Sequence, residues 1–315
     1  MWAGVFFSLA AGMMWGLVFV GPLMLPEYPA ALHTFGRYLA FGVIALPLAF
    51  IDRAELRRLT RADWLAALRL AAIGNVLYYL FLASAIQRAG GALPTMVIGT
   101  LPVVIAVSAN VLNHQRDGRF PWPKLTPALA LILLGIACVN QVEWTALLQN
   151  PQADTGRYIT GAVLAVGAVA CWTWYPLKNA DWLRGHPEGN PRVWATAQGL
   201  ATLPLALLGY GLFWMWQGLT EASFPMPLGP RPLEFIGLMM AIGLFASWLG
   251  TLCWNAASQR LPTALAGQLI VFETLSALTY AFMLRGQWPA PLTLTGIALL
   301  VAGVIAGVRV KATDR

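Results

Sequence analysis

The sequence predicts an all-α integral membrane protein: ten transmembrane helices arranged as two inverted five-helix repeats, with both termini cytoplasmic. Three observations predict it. Of 315 residues, 58% are hydrophobic and only 10% are charged, with a mean hydropathy of +0.66, whereas a soluble domain carries about 25% charged residues. Apolar runs of bilayer length, roughly 20 residues for a hydrocarbon core, recur at 3–25, 30–50, 64–87, 92–112, 125–142, 158–178, 192–216, 234–257, 262–284 and 290–309. Matching residues also recur between the two halves at nearly constant offsets.

The first run resembles a signal peptide in length but lacks the basic leading region such a peptide needs, and it has a counterpart later in the chain, so it is expected to be part of the fold. Its Gly12 and Gly16 form a small-xxx-small pair suited to close helix approach. The second run contains Arg37, about two turns from its start. A guanidinium there could hold a carboxylate through a bidentate pair or snorkel outward beside His33, and snorkelling is the expectation. In the third, Asn75, Tyr78 and Tyr79 stand at i, i+3 and i+4, a spacing that puts them on one helix side. The fourth contains Pro102, a candidate kink. The fifth and sixth hold Cys138 and Cys171. With Cys253, these three cysteines show no metal-ligand spacing and no disulfide framework.

Trp172, Trp174 and Tyr175 in the sixth run, with Trp15 and Trp248, offer a wall on which a bulky side chain could stack. Lys178 is expected to anchor the sixth run at the cytoplasmic surface. The eighth run repeats a polar stripe, Ser247, Thr251, Trp254, Asn255 and Ser258. At an offset of 172, Asn75 matches Ser247 and Tyr79 matches Thr251. Matched stripes from both halves suggest a shared cavity, while interhelical hydrogen bonding is the alternative. In the ninth, Gln268 could bond a carboxylate or amine, and Glu273 is the one acid of 13 placed well inside a run. Such a side chain is costly in hydrocarbon, so Glu273 is read as a partner for a substrate ammonium, a protonation switch, or an interhelical hydrogen-bonding group. The tenth contains the pair Gly303 and Gly307. The connections 143–157 and 217–233 are the longest and are expected to be irregular.

The repeat relates Gly4 to Gly161 and Trp15 to Trp172 at 157, and Pro94 to Pro262, Gly99 to Gly267 and Gly135 to Gly303 at 168. Halves of 1–150 and 151–315, each with five spans, must face opposite ways, which is a transporter signature. Lys and Arg in the connections divide 14 to 4 in favour of the side bearing both termini, which the positive-inside rule assigns to the cytoplasm. The net charge of +7 is thus spread through short connections, not gathered on a nucleic-acid-binding face.

The run GGALPTMVIGTLPVVIAVSANVL with LALILLGIACV, and later LPTALAGQLIVFETLSALTYAFMLRGQW with GIALLVAGVIAGV, resembles the EamA half-repeat of the drug/metabolite transporter superfamily. The chain as a whole looks most similar to the YddG-type amino-acid exporters of that superfamily. The resemblance implies export of aromatic and other neutral amino acids from a bacterial cytoplasm, across the inner membrane, by alternating access. A multidrug or other small-metabolite exporter is the alternative. Many EamA repeats place a Glu after the fourth helix of the half; here those places hold Asn113-His114-Gln115 and Leu284-Arg285-Gly286, so that role does not carry over.

No nucleotide or zinc motif is present; no catalytic residue, metal or cofactor is expected, and the chain is not expected to be an enzyme. The expected partners are an amino-acid substrate and the lipid bilayer, not nucleic acid, and the chain is expected to act as a monomer. The residues expected to bind substrate are Asn75, Tyr78, Tyr79, Trp172, Tyr175, Trp248, Thr251, Gln268 and Glu273.

Overall fold

The computed structural model describes residues 1–19, 21, 24–89, 92–141, 145, 155–220, 224–286 and 288–310. These residues form a helical bundle. Among them, nine helices are long and apolar enough to cross a membrane, and a shorter apolar helix, Leu101–Leu112, accompanies them. We number the segments α1 (Trp2–Phe19), α2 (Ala30–Ile51), α3 (Arg61–Ile86), α4 (Ala92–Gly99 and Leu101–Leu112) and α5 (Trp122–Val139). They continue with α6 (Thr155–Gly185), α7 (Pro191–Leu219), α8 (Pro232–Ser258), α9 (Thr263–Leu269 and Val271–Arg285) and α10 (Pro291–Val308).

Besides the 3-10 turn Leu17–Phe19 that ends α1, four of these depart from regular α-helix, at corresponding places. α3 is π-helical over Leu70–Leu77 and α8 over Gly243–Leu249. α4 is interrupted at Thr100 and α9 at Ile270. In α4 the cause is Pro102, which lacks an N–H and crowds the preceding turn. In α9 no proline intervenes. Tightened i→i+3 bonds, Ile270 N to Gly267 O at 3.2 Å and Glu273 N to Ile270 O at 2.9 Å, mark the change.

Helix packing follows the same correspondence. α2 packs on α7, α4 on α9 and α5 on α10, while α3 packs on α6 as α8 does on α1. α1 meets α9 as α6 meets α4. Glycines set the closest approaches. A Cβ on Gly12 or Gly16 would meet the α9 backbone at 3.0 and 2.8 Å. Gly135 and Gly296 face each other across α5 and α10, where a Cβ on either would lie 2.8 Å from the other's carbonyl oxygen. Backbone cannot yield as a side chain can. Gly135→Val should therefore part α5 from α10 and destabilise the fold by about 1–3 kcal/mol. Thermal unfolding of the purified protein in detergent checks this, and an unchanged midpoint would show that the two helices separate freely.

Past Phe19, residues 20, 22 and 23 lie outside the described residues, while Gly21 and Met24 are helical and Leu25 N donates to Gly21 O at 3.0 Å. The end of one segment differs from the sequence reading. α6 continues past Lys178 to Gly185, because no Pro or Gly stands between them and Lys178 pairs with Asp181 one turn on, at 3.1 Å. Polar character there marks the exit from hydrocarbon, not the end of the helix. α6 also carries Pro176 in its interior. Of the connection 143–157, residues 143, 144 and 146–154 lie outside the described residues, and 155–157 already belong to α6.

Candidate functional site

The matched tryptophans meet at the centre. Trp15 of α1 and Trp172 of α6 stand edge to face, ring centroids 5.3 Å apart, and Trp254 of α8 tilts against Trp15 at 5.2 Å. Trp172 is sandwiched between Tyr78 at 4.7 Å and Tyr175 at 5.0 Å. Trp15, Tyr78 and Trp172 of this stack form the floor of a cavity of about 320 Å³. From there the cavity runs towards the face on which α1 ends. Its walls come from α1, α2 and α3 in the first half and from α6 and α9 in the second.

Two charged groups line it. Arg37 is 7% exposed and Glu273 is 8% exposed. Arg37 Nε donates to Ser247 Oγ at 2.9 Å, and its guanidinium lies 4.9 Å from the Tyr38 ring and 5.3 Å from that of Tyr79. Glu273 sits in the first turn of the second piece of α9, where helix N-termini favour negative charge. Its Oε2 is buried with no hydrogen-bond partner. The expectation that Arg37 snorkels outward is therefore corrected: Ser247, from the other half, holds it inside the bundle, on the cavity wall.

Tyr78, Tyr79, Trp172 and Glu273 line this cavity; the other expected site residues lie elsewhere. Asn75 Nδ2 donates to Thr202 Oγ1 of α7 at 3.3 Å. Trp248 Nε1 donates to Thr196 Oγ1 at 3.2 Å. Tyr175 OH donates to Gln198 Oε1 at 2.8 Å, and Thr251 is buried in α8 away from the cavity lining. Gln268 is fully buried and packs so closely on Gly307 that a Cβ there would overlap its Oε1. Sequence reasoning did not single out Tyr38, which lines the cavity beside Arg37. Its signal, a tyrosine following a buried arginine, is visible only once Arg37 is known to face inward.

Below the aromatic floor the bundle is closed by polar contacts. Asn179 joins Asn255 at 2.9 Å, and Trp194 Nε1 donates to Asn179 Oδ1 at 2.9 Å. Nearer the termini, Arg184 of α6 donates to Asp117 and to the Leu261 carbonyl, and Thr263 N donates to the same carboxylate at 2.8 Å. Asp117 follows α4, so this link ties the first half to the second. Asp63 accepts from Trp182 Nε1 at 2.8 Å, and Arg192 pairs with Asp52. On the opposite face Tyr28 OH donates to Leu228 O at 2.9 Å and accepts from Arg231 N at 2.8 Å. Arg231 pairs with Glu27 at 2.7 Å, and a backbone hydrogen bond, aided by the Arg231 contact, holds the Glu27 carboxyl below its ordinary range.

A model of the EamA-like transporter family matches residues 2–141. The chain is 56% identical over 309 residues to inner membrane protein YtfF of Escherichia coli K12, covering 98% of this chain and 96% of that one. It belongs to the EamA-like transporter family. This EamA-like transporter is a multi-pass protein of the bacterial inner membrane, as its membrane-length helices and that relative indicate. It is also 26% identical over 225 residues to the threonine/homoserine exporter RhtA of the same organism, covering 69% of this chain and 64% of RhtA. A solved structure, described only as the crystal structure of a protein, superposes with a TM-score of 0.71 over 96% of this chain and 95% of its own. At 17% identity, that likeness speaks to the fold.

Proposed function

We propose that this transporter exports aromatic and other neutral amino acids from the cytoplasm, as the YddG-type exporters of its superfamily do. It works by alternating access between two five-helix repeats of opposite orientation, 1–150 and 151–315, with both termini cytoplasmic. The observation that carries this reading is a cavity between the halves, open towards one face and closed towards the other by the Asp117–Arg184 link. The sealed face is the one rich in Lys and Arg, which the positive-inside rule assigns to the cytoplasm, so this is the outward-facing state. Matched π segments, matched interruptions in α4 and α9, and the paired helix contacts support the repeat. Discontinuous helices in corresponding positions are typical of transporter binding sites.

The wall of Trp15, Tyr78, Tyr79 and Trp172 suits an aromatic side chain, since offset and edge-to-face ring pairs contribute about 0.5–1.5 kcal/mol beyond burial. Trp172→Ala should therefore weaken transport of phenylalanine and tryptophan about threefold to tenfold more than transport of threonine, which competition for a labelled substrate would measure. Equal losses for all three would remove the stacking role.

The deciding experiment is efflux of labelled phenylalanine from liposomes holding the pure protein, with and without an imposed pH gradient. Efflux in both conditions supports facilitated export, and efflux only with the gradient supports proton coupling. No efflux from folded protein removes the amino-acid assignment. A second reading, export of lipophilic cations or other small metabolites, is favoured by the unpartnered Glu273 carboxylate among aromatic rings. Inhibition by cationic dyes but not by amino acids would select it.

A further inference from the structure

Arg37 and Glu273 line one cavity, come from opposite halves of the chain, and are each more than nine-tenths buried. An ionisable side chain in the middle of a membrane is costly unless it meets a partner. Yet no ion pair within 4 Å joins these two among the described residues, and Glu273 Oε2 has no hydrogen-bond partner at all. The guanidinium is held along one edge. Nε is occupied by Ser247, and the flanking Tyr38 and Tyr79 rings support the plane. The two Nη groups make no hydrogen bond among the described residues. A guanidinium with its outer edge free is the geometry that takes a carboxylate in two parallel bonds. A carboxylate without a donor calls for a cation with N–H groups, and an ammonium supplies three.

We infer that Arg37 and Glu273 form a two-ended clamp for the zwitterion of an α-amino acid, Arg37 holding the carboxylate and Glu273 the ammonium. This inference rests on the amino-acid reading above and goes beyond it by assigning each backbone charge of the substrate to a side chain. The substrate's side chain then lies along Tyr78 and Trp172, away from the charges. Specificity follows from the same arrangement. A ligand lacking either charge leaves a buried group unpaired, and sites built to bond a polar group reject analogues without it far more strongly than they reject a change of methylene. The clamp therefore selects on the amino-acid backbone, while the aromatic wall only grades the side chain. The clamp also spans the halves, so a bound zwitterion ties α2 to α9.

The test compares three inhibitors of labelled phenylalanine flux in proteoliposomes of the full-length protein: unlabelled phenylalanine, phenethylamine, which lacks the carboxylate, and 3-phenylpropionate, which lacks the ammonium. For the wild type, phenylalanine is expected to inhibit at a concentration at least about tenfold below either analogue. In Glu273→Gln the preference over 3-phenylpropionate should collapse to within about threefold, while the preference over phenethylamine persists. Arg37→Gln should show the converse. Should either variant fail to fold, thermal stabilisation of the purified wild type by the three ligands gives the same ranking without mutation. Flux with equal inhibition by all three ligands, or variants whose two ratios do not move in opposite senses, would overturn the clamp alone. Absence of any phenylalanine flux or binding in folded wild type would overturn the amino-acid reading and the clamp with it.

Discussion

Asp117→Ala is expected to open the face that bears the termini. The Asp117 side chain is 4% exposed and accepts from Arg184 and from Thr263 N, while Arg184 is 22% exposed. Arg184 also donates to the carbonyls of Ser258 and Leu261. All these partners belong to the second half, so Asp117 acts with Asp52 and Asp63, which pair with Arg192 and Trp182, in joining the first half to the second on this face. Loss of one partner from a fully buried ion pair costs about 3–5 kcal/mol. Even a shift of about 1.4 kcal/mol changes a conformational equilibrium tenfold. The seam between α4 and α9 should therefore part at least about ten times more often. Maleimide labelling of Ser258→Cys, in a background without Cys138, Cys171 and Cys253, reads this directly, because Ser258 is buried beside the link. An unchanged labelling rate would mean that the polar contacts below the aromatic floor hold the seal without Asp117.

Gly74→Val should be the most damaging single substitution in the π segment of α3. A Cβ at Gly74 would stand 2.2 Å from Tyr175 Cδ2 and 2.8 Å from Tyr175 Cβ. Tyr175 cannot swing aside cheaply. Its ring is stacked on Trp172 with an interplanar angle of 2°, and its hydroxyl is bound to Gln198. Overpacking of well-fitted cores costs about 1–3 kcal/mol and occasionally more, and this site belongs at the upper end. The expected result is a lowered unfolding midpoint in detergent together with a loss of transport of aromatic substrates. Gly74→Ala should show a smaller form of both. A fully stable Gly74→Val protein would mean that α3 and α6 are more loosely apposed than their backbones indicate.

Much of this architecture is legible in the sequence for a simple reason. A hydrocarbon solvent forces long apolar runs, and matching residues recur at nearly constant offsets. Trp15 and Trp172 are related by such an offset, and the fold brings the two rings together. The candidate site is less legible. Arg37 stands near enough to a helix end for snorkelling, and what holds it inside is Ser247, 210 positions later. α-helical periodicity puts Asn75, Tyr78 and Tyr79 in one stripe. Leu70–Leu77 is instead a π-helix, whose wider turn changes the direction of the side chains within it. Asn75 therefore bonds α7, while the tyrosines just beyond the π segment line the cavity. Ser247 and Trp248 lie in the counterpart segment of α8, with the same consequence.

The unbroken length of α6 makes it a lever. Trp172 in the cavity floor and Arg184 at the seal ride on one helix, twelve residues apart, which is about 18 Å along its axis. A tilt of about 10° at the floor would displace the tip by about 3 Å at that radius, as much as the length of a hydrogen bond. A molecule that presses on Trp172 therefore acts mechanically on the salt link at the far end, with no separate signalling element in between.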